Sequence, residues 1–430
     1  MNCLKMRISN KKILILPLII ILSLIISFYF GEDTLGGAKH DHFFILKFSL
    51  LFSENFSETF NNYGIGILQA RNSPIFSIFQ SLFINLGADL DILRYLNSLI
   101  IIPIFYFFYK SLKIKYPDLS YEVKIIFTSI LFLSPTIRSL IIWPYPLIYG
   151  LVFFIISNYF FIKFEAVDNE KKKIIFSLYN VFFLAVAAYF TPNFALFSLF
   201  YLYKFFLHFK FSKNLYIIII LNILLALPAI HFTILKDFYF LKMNVTGAPL
   251  SSKLNFSNKI ILISTIFFFY FIPFIRINKK LFFKRININK NLIFLLIFIV
   301  LNIFLFDYNN QTEGVARTGG GLFLHLSQLL FSNSFLVFLI FIIFTYLIFI
   351  YDLINLNNII LFFILIFYNA QYSIYHKYFD PLIYIILLFL IKFNYKKIVI
   401  NLKKISYKYI GLYLFFLLMS FLKNFIINHF

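Results

Sequence analysis

Residues 73–86 read SPIFSIFQSLFINL, and whether they cross a bilayer decides the side of every later loop. A spanning helix needs about 20 mostly apolar residues. This stretch is shorter and carries Ser77, Gln80, Ser81 and Asn85. Ser73-Pro74 opens it, with Ser at the cap and Pro at the first helical position, and Gly87 ends it. The pattern predicts an amphipathic helix lying flat at the membrane surface. Residues 42–52, His42 to Phe52, read as a second one. Residues 31–90 thereby become a single outer segment carrying two surface helices.

The flanking chain makes the membrane setting unavoidable. Of 430 residues, 61% are hydrophobic and 13% charged, where soluble domains have about 25% charged residues. A soluble fold would leave far too much apolar surface in water. Spans are expected near 12–30, 91–112, 123–141, 147–164, 173–190, 194–209 and 213–233, and again near 259–275, 291–306, 335–351, 358–375, 381–395 and 407–424. The expected fold is all-α, a polytopic bundle of about thirteen spans. Residues 1–430 form one membrane domain, with no separate soluble domain. The first apolar stretch is long for a signal peptide and lacks a small-residue cleavage site, so it reads as a retained helix. One cysteine, Cys3, excludes a disulfide framework and a cysteine metal site.

The formal charge of +22 invites a nucleic-acid reading. Its distribution argues against one, because the basic residues sit in short stretches between apolar runs rather than along one stripe. With the N-terminus in the cytoplasm and sides alternating, 27 of the 39 Lys and Arg residues fall in cytoplasmic pieces, as the positive-inside rule requires. The outer pieces hold Glu32, Asp33, Asp41, Glu54, Glu58, Asp89, Asp91, Asp237, Asp307, Glu313 and Asp380. The C-terminus is then extracytoplasmic. An Ile-, Lys- and Asn-rich composition resembles that of an AT-rich bacterial genome, which places the chain in a bacterial cytoplasmic membrane.

Polar groups at the mouth of a membrane bundle are costly unless paired or used. The densest set is Glu32, Asp33, Lys39, His40, Asp41 and His42. Acids and bases packed this way suit proton abstraction, metal binding or phosphate binding; the plainer reading is a solvated loop. Arg71 precedes the second surface helix. Tyr375, His376, Lys377 and Tyr378 stand at the outer end of a late span, where such residues also serve as interfacial anchors. Gly319 to Gly321 read as a flexible loop within an outer piece over 307–334.

The order of these parts resembles the GT-C superfamily of polyprenyl-phosphate-sugar-dependent glycosyltransferases, the protein mannosyltransferases among them. His40-Asp41-His42-Phe43-Phe44 resembles the Asp-Glu-type start of the first surface helix in that superfamily. Asn72-Ser73-Pro74-Ile75-Phe76 resembles the Pro-opened start of the second. Leu133-Ser134-Pro135, Ala187-Ala188-Tyr189-Phe190-Thr191-Pro192 and His376-Lys377-Tyr378-Phe379-Asp380-Pro381 resemble later elements, the last one near the lipid phosphate. Here His42 replaces the second acid, and Lys377 or His376 the late arginine. No large extracytoplasmic C-terminal domain follows, which separates the chain from the oligosaccharyltransferases.

The resemblance implies a sugar moved from a polyprenyl-phosphate donor to an extracytoplasmic lipid, glycan or protein, with inversion. Asp41, with Asp33 second, is the implied base. Glu32, Lys39, His40, His42, Arg71, Tyr375, His376, Lys377 and Tyr378 are the implied substrate contacts. Some members use a divalent metal, Mg or Mn, and Asp33, Asp41 and His42 are its candidate ligands. The implied partners are the lipid-linked donor and membrane lipid. A transporter or flippase is the first alternative, although mid-span residues are mostly Phe, Ile and Leu and no paired repeat is seen. A surface-polysaccharide polymerase or ligase is the second, although its large outer loop would come late in the chain.

Overall fold

A computed structural model describes the chain apart from residues 1, 35–36, 65–71, 237–254, 276–289, 309–318, 370–373, 394–400 and 430, and apart from the side chains of 2–14, 290–292 and 423–429. The described residues are helical throughout, without strands. They cluster into two compact units, residues 1–240 with 402–430, and residues 241–401.

The first unit opens with α1 (Asn2–Tyr29), α2 (Ala38–Glu54), α3 (Phe56–Asn62) and α4 (Ile75–Asn85). Both stretches read as surface helices are therefore helical. Each keeps an apolar edge exposed, Phe43, Phe44 and Leu50 on α2, and Ile75 and Leu82 on α4. They pack against each other, joined by the Ser49 hydroxyl donating to Gln80 Oε1 at 3.0 Å. Pro74 sits at the N-cap of α4, one residue before the expected position, since its helical φ of −68° starts the turn there.

Next come α5 (Leu90–Ser98), α6 (Ile101–Lys115), α7 (Tyr121–Ile130), α8 (Pro135–Ile142), α9 (Pro146–Ala166), α10 (Glu170–Phe190), α11 (Phe197–Phe209) and α12 (Lys213–Leu235). The stretch expected as one span over 123–141 is instead broken, with residues 121–133 and 135–142 meeting at 68°. Pro135 has no N–H to continue the ladder, and Ser134 Oγ accepts from Ile137 N–H at 3.1 Å to start the next helix. At the centre is α9, packed against α6 and α10. Its contact with the end of α10 requires Gly150, where a Cβ would stand 2.7 Å from Thr191 Oγ1.

The second unit contains α13 (Phe256–Phe271, running on as a 3-10 turn to Phe274), α14 (Lys290–Phe304), α15 (Gly321–Phe331), α16 (Phe335–Ile350), α17 (Leu356–Tyr368) and α18 (Leu382–Phe389). Here α13 is central and packs against all five others. Helix α15 falls within the piece expected to be loop. After it the chain returns to the first unit as α19 (Leu402–His429), which packs on α7.

Among the described residues, six helices are long and apolar enough to cross a membrane: Leu90–Lys115, Pro146–Ala166, Glu170–Phe190, Lys213–Leu235, Phe256–Phe274 and Leu402–Leu422, with the bent pair as a seventh. The chain is a helical bundle of multi-pass membrane type. Other expected spans coincide with shorter apolar helices, such as Phe335–Ile350 and Leu356–Tyr368.

Within each unit, ends assigned to one side of the membrane touch ends assigned to the same side. Glu165 pairs with Lys115 at 3.3 Å and Lys204 at 2.9 Å, which joins three pieces read as cytoplasmic. At the opposite ends, Lys236 Nζ donates to Phe60 O and Asn61 O at 2.8 and 2.6 Å. In the second unit Lys392 N–H donates to Asn358 Oδ1 at 2.9 Å, and Asn258 Nδ2 donates to Asp307 O at 2.8 Å.

Candidate functional site

The first-loop acids split into distinct roles. Glu32 is buried and meets Arg138 of α8 head-on, with Arg138 Nε to Glu32 Oε1 at 2.8 Å and Nη2 to Oε2 at 2.7 Å. Arg138 also donates to the hydroxyls of Ser23 and Ser27 on α1. Thr34 Oγ1 donates to Glu32 at 2.9 Å. Burial pushes the Glu32 carboxyl up, but the Arg138 hydrogen bonds and charge, with the Ser27 and Thr34 hydroxyls, outweigh it and hold it below its ordinary value. Such a two-pronged pair fixes geometry as well as charge. It locks the end of α1 to α8.

Asp33 accepts from three backbone N–H groups, those of Gly37 and Ala38 at 3.0 Å and of Lys39 at 3.1 Å. These are orphan donors at the start of α2, so both Asp33 oxygens are engaged in capping it. Asp41 lies in the first turn of α2 and is half-buried. His40 and Lys39 are exposed beside it. Arg71 lies outside the described residues.

The next residue, His42, faces inward and is fully buried. Its Nδ1 lies 2.9 Å from Pro144 O. A carbonyl only accepts, so Nδ1 carries the proton. Burial first, and then the Arg94 charge, push its pKa below 6.5 against the opposing pull of the Pro144 carbonyl. The ring lies beside Trp143, centroids 6.0 Å apart.

Trp143, the single tryptophan of the chain, organises this corner. The Arg94 guanidinium stands 4.5 Å from its ring centroid and Lys39 Nζ 5.3 Å. Arg94 in turn donates to the helix-end carbonyls Phe28 O at 3.1 Å and Ile142 O at 3.4 Å. Asn97, one turn on, donates to Leu140 O and Ile141 O. Thus α5 caps the end of α8, and Arg94 from α5 and Lys39 from α2 stand over Trp143. Arg94 is also paired with Asp91 at 3.2 Å; two cations stacked on one aromatic ring still suit an anionic group such as a phosphate.

Arg138, Arg94 and Trp143 were not among the expected site residues. The signals were slight: one arginine in an apolar run, one in a short helix, and the lone tryptophan.

The second unit holds its own polar cluster. Tyr270 on α13 donates its hydroxyl to Asp380 Oδ1 at 2.9 Å and lies 2.9 Å from His376 Nε2. With the Tyr270 proton directed at Asp380, Nε2–H of His376 is the donor to Tyr270, and the order is His376, Tyr270, Asp380. Lys377 stands over the rings of Tyr375 and Tyr378 at 5.7 and 5.8 Å. The glycine run packs against this segment: Gly320 N–H donates to Ile374 O at 2.8 Å, and a Cβ on Gly319 would meet Ile374 backbone at 3.2 Å. Gly319 and Gly320 both have φ of +89°. What reads as a flexible loop is therefore a fitted turn that starts α15.

Among the described residues no three His, Cys, Asp or Glu side chains are grouped to hold a metal ion. Asp33 is committed to the α2 cap, and Asp33, Asp41 and His42 form no such group.

Comparison of the chain with family models, curated proteins and solved structures finds no match.

Proposed function

We propose that the chain is an inverting membrane glycosyltransferase that takes a sugar from a polyprenyl-phosphate donor and passes it to an extracytoplasmic hydroxyl. The observation that carries this reading is the start of α2, where half-buried Asp41 follows Lys39 by two residues in the first turn and Lys39 and Arg94 stand over the Trp143 ring. A carboxylate and two cations on one corner supply what the reaction needs. Asp41 takes the proton of the attacking hydroxyl. The oxygen bonds to the anomeric carbon, the carbon–phosphate oxygen bond breaks, and the lipid phosphate leaves with the electron pair. Lys39 and Arg94 offset its charge. Asp33 and the Glu32–Arg138 pair hold the corner in shape. His376 and Lys377 with their tyrosines are the second proposed contact to the donor. The N-terminus is taken as cytoplasmic, the C-terminus as extracytoplasmic, and the membrane as a bacterial cytoplasmic one.

The test is transfer from a synthetic polyprenyl-phosphate sugar in membranes carrying the chain. Asp41→Asn is expected to lower the rate at least about a hundredfold with unchanged expression. Near-normal transfer by this variant removes Asp41 from its role. Donor flux across proteoliposomes without any glycan product decides for a transporter.

A further inference from the structure

Toward the ends taken as cytoplasmic, the long apolar helices α6, α9 and α10 share a belt of aromatic rings. Tyr106 and Phe107 on α6, Tyr159 and Phe160 on α9, and Phe176 on α10 follow one another at centroid distances of 5.1, 5.4, 5.2 and 6.3 Å. Two half-buried lysines stand over the belt. Lys110 Nζ is 5.4 Å from the Tyr106 centroid, and Lys163 Nζ is 4.6, 5.0 and 5.7 Å from those of Tyr159, Phe176 and Phe160. The ion-paired acids at these helix ends are engaged by other residues, Glu165 by Lys115 and Lys204, and Glu170 by Lys173 and His208. Lys110 and Lys163 have no acidic partner among the described residues. A ring face attracts their charge but supplies no countercharge.

Away from the lysines the same helices present hydrocarbon. Ile102, one turn before Tyr106 on the same face of α6, is exposed, as are Tyr179 and Phe182 on α10. A partner that meets both parts carries an anion at one end and alkyl chains at the other. A soluble anion or a nucleic acid meets only the first. We infer that Lys110 and Lys163 bind headgroup phosphates of anionic phospholipids in the leaflet taken as cytoplasmic, with the acyl chains against α6 and α10. Basic sites between spans on that side suit such headgroups. The long lysine stems carry the charge to headgroup depth from positions inside the helices. Phosphatidylcholine is a poorer fit. Its choline cation already balances its phosphate, and the rings that would receive that cation lie under the lysines.

The experiment titrates the full chain in detergent with phosphatidylglycerol or phosphatidylcholine of the same chain length and counts bound lipid by native mass spectrometry. Wild-type protein is expected to prefer phosphatidylglycerol. Lys110→Gln and Lys163→Gln are each expected to lower that preference about fivefold, and the double variant about twenty-five-fold. Replacing both lysines by Arg keeps the charge and should keep the preference. Lys171→Gln with Lys172→Gln removes as much charge from exposed positions on α10 and should leave the preference unchanged. The proposal is overturned by a wild-type protein without preference, by a preference that survives in the Lys110→Gln, Lys163→Gln double variant, or by an equal loss in the Lys171, Lys172 control. Displacement of bound phosphatidylglycerol by equimolar glycerol phosphate also overturns it, because the site then needs no acyl chain.

Discussion

Each unit buries a carboxylate, Glu32 in the first and Asp380 in the second, and the hydrogen bonds described around them differ in kind. In the first, Glu32 is matched by the permanent charge of Arg138, and three hydroxyls complete the set. In the second, Asp380 accepts from a neutral phenol, which is in turn bonded to His376. The first arrangement has no proton to exchange near neutral pH, since an arginine does not release one. It fixes a corner. The second is a chain of groups that each hold or pass a proton. A buried ion pair and a buried hydrogen-bond chain look alike in an apolar sequence, but they differ in what breaks them.

The largest expected effect comes from breaking the ion pair on one side only. Arg138→Met leaves Glu32 buried without its countercharge and is expected to cost about 3–5 kcal/mol of stability. The double variant Arg138→Met, Glu32→Leu should recover most of that loss, measured as thermal unfolding in detergent. If the double variant is no better than the single, the pair is not the source of the cost. The same pair sets an acid limit. Glu32 has its pKa lowered from 4.5, so the unfolded chain binds the extra proton first. Its contribution is complete above about pH 4.5 and is lost as pH falls through the lower folded value. The double variant should lack that limb of the pH–stability curve.

A smaller effect is expected in the second unit. Tyr270→Phe removes the bonds to Asp380 and His376 and is expected to cost about 1–3 kcal/mol. Asp380→Asn retains an oxygen to accept from Tyr270 and should cost less. If the order is reversed, the Asp380 charge matters more than the chain it ends, and the contrast between the units narrows. The smallest effect is the cap: Asp33→Ala should cost about 0.5–2 kcal/mol, seen as loss of helix at the start of α2 by hydrogen exchange. No change there would make Asp33 available for chemistry.

What the sequence made plain was whatever depends on neighbours in the chain. The span expected at 147–164 is the helix Pro146–Ala166, and Ser73-Pro74 does open a helix. Asn55 and Asn255, which fit a glycosylation pattern, act as caps for α3 and α13, a role their side chains suit. Long-range partners were hidden. Nothing near Arg138 points to Glu32, and Ser134-Pro135, read only as part of a resemblance, did not show as the point where the ladder stops. The glycine run looked loose because glycine favours loops; here Gly319 and Gly320 hold φ of +89°, and a Cβ on Gly319 would crowd the Ile374 backbone at 3.2 Å. The paired charges at the helix ends were legible only as loop charges.

Arg138 leaves the ribosome 106 residues after Glu32. Until it does, the carboxylate that follows α1 has no countercharge. An arginine in an apolar segment costs about 2.5–3.5 kcal/mol to insert at the centre of a bilayer, so the segment over 121–142 enters lipid most readily where Glu32 already waits for it. The pair thus makes the first helix a receptor for a later segment of its own nascent chain. A chain lacking α1 should leave 121–142 poorly inserted during synthesis, whatever its later loops contain.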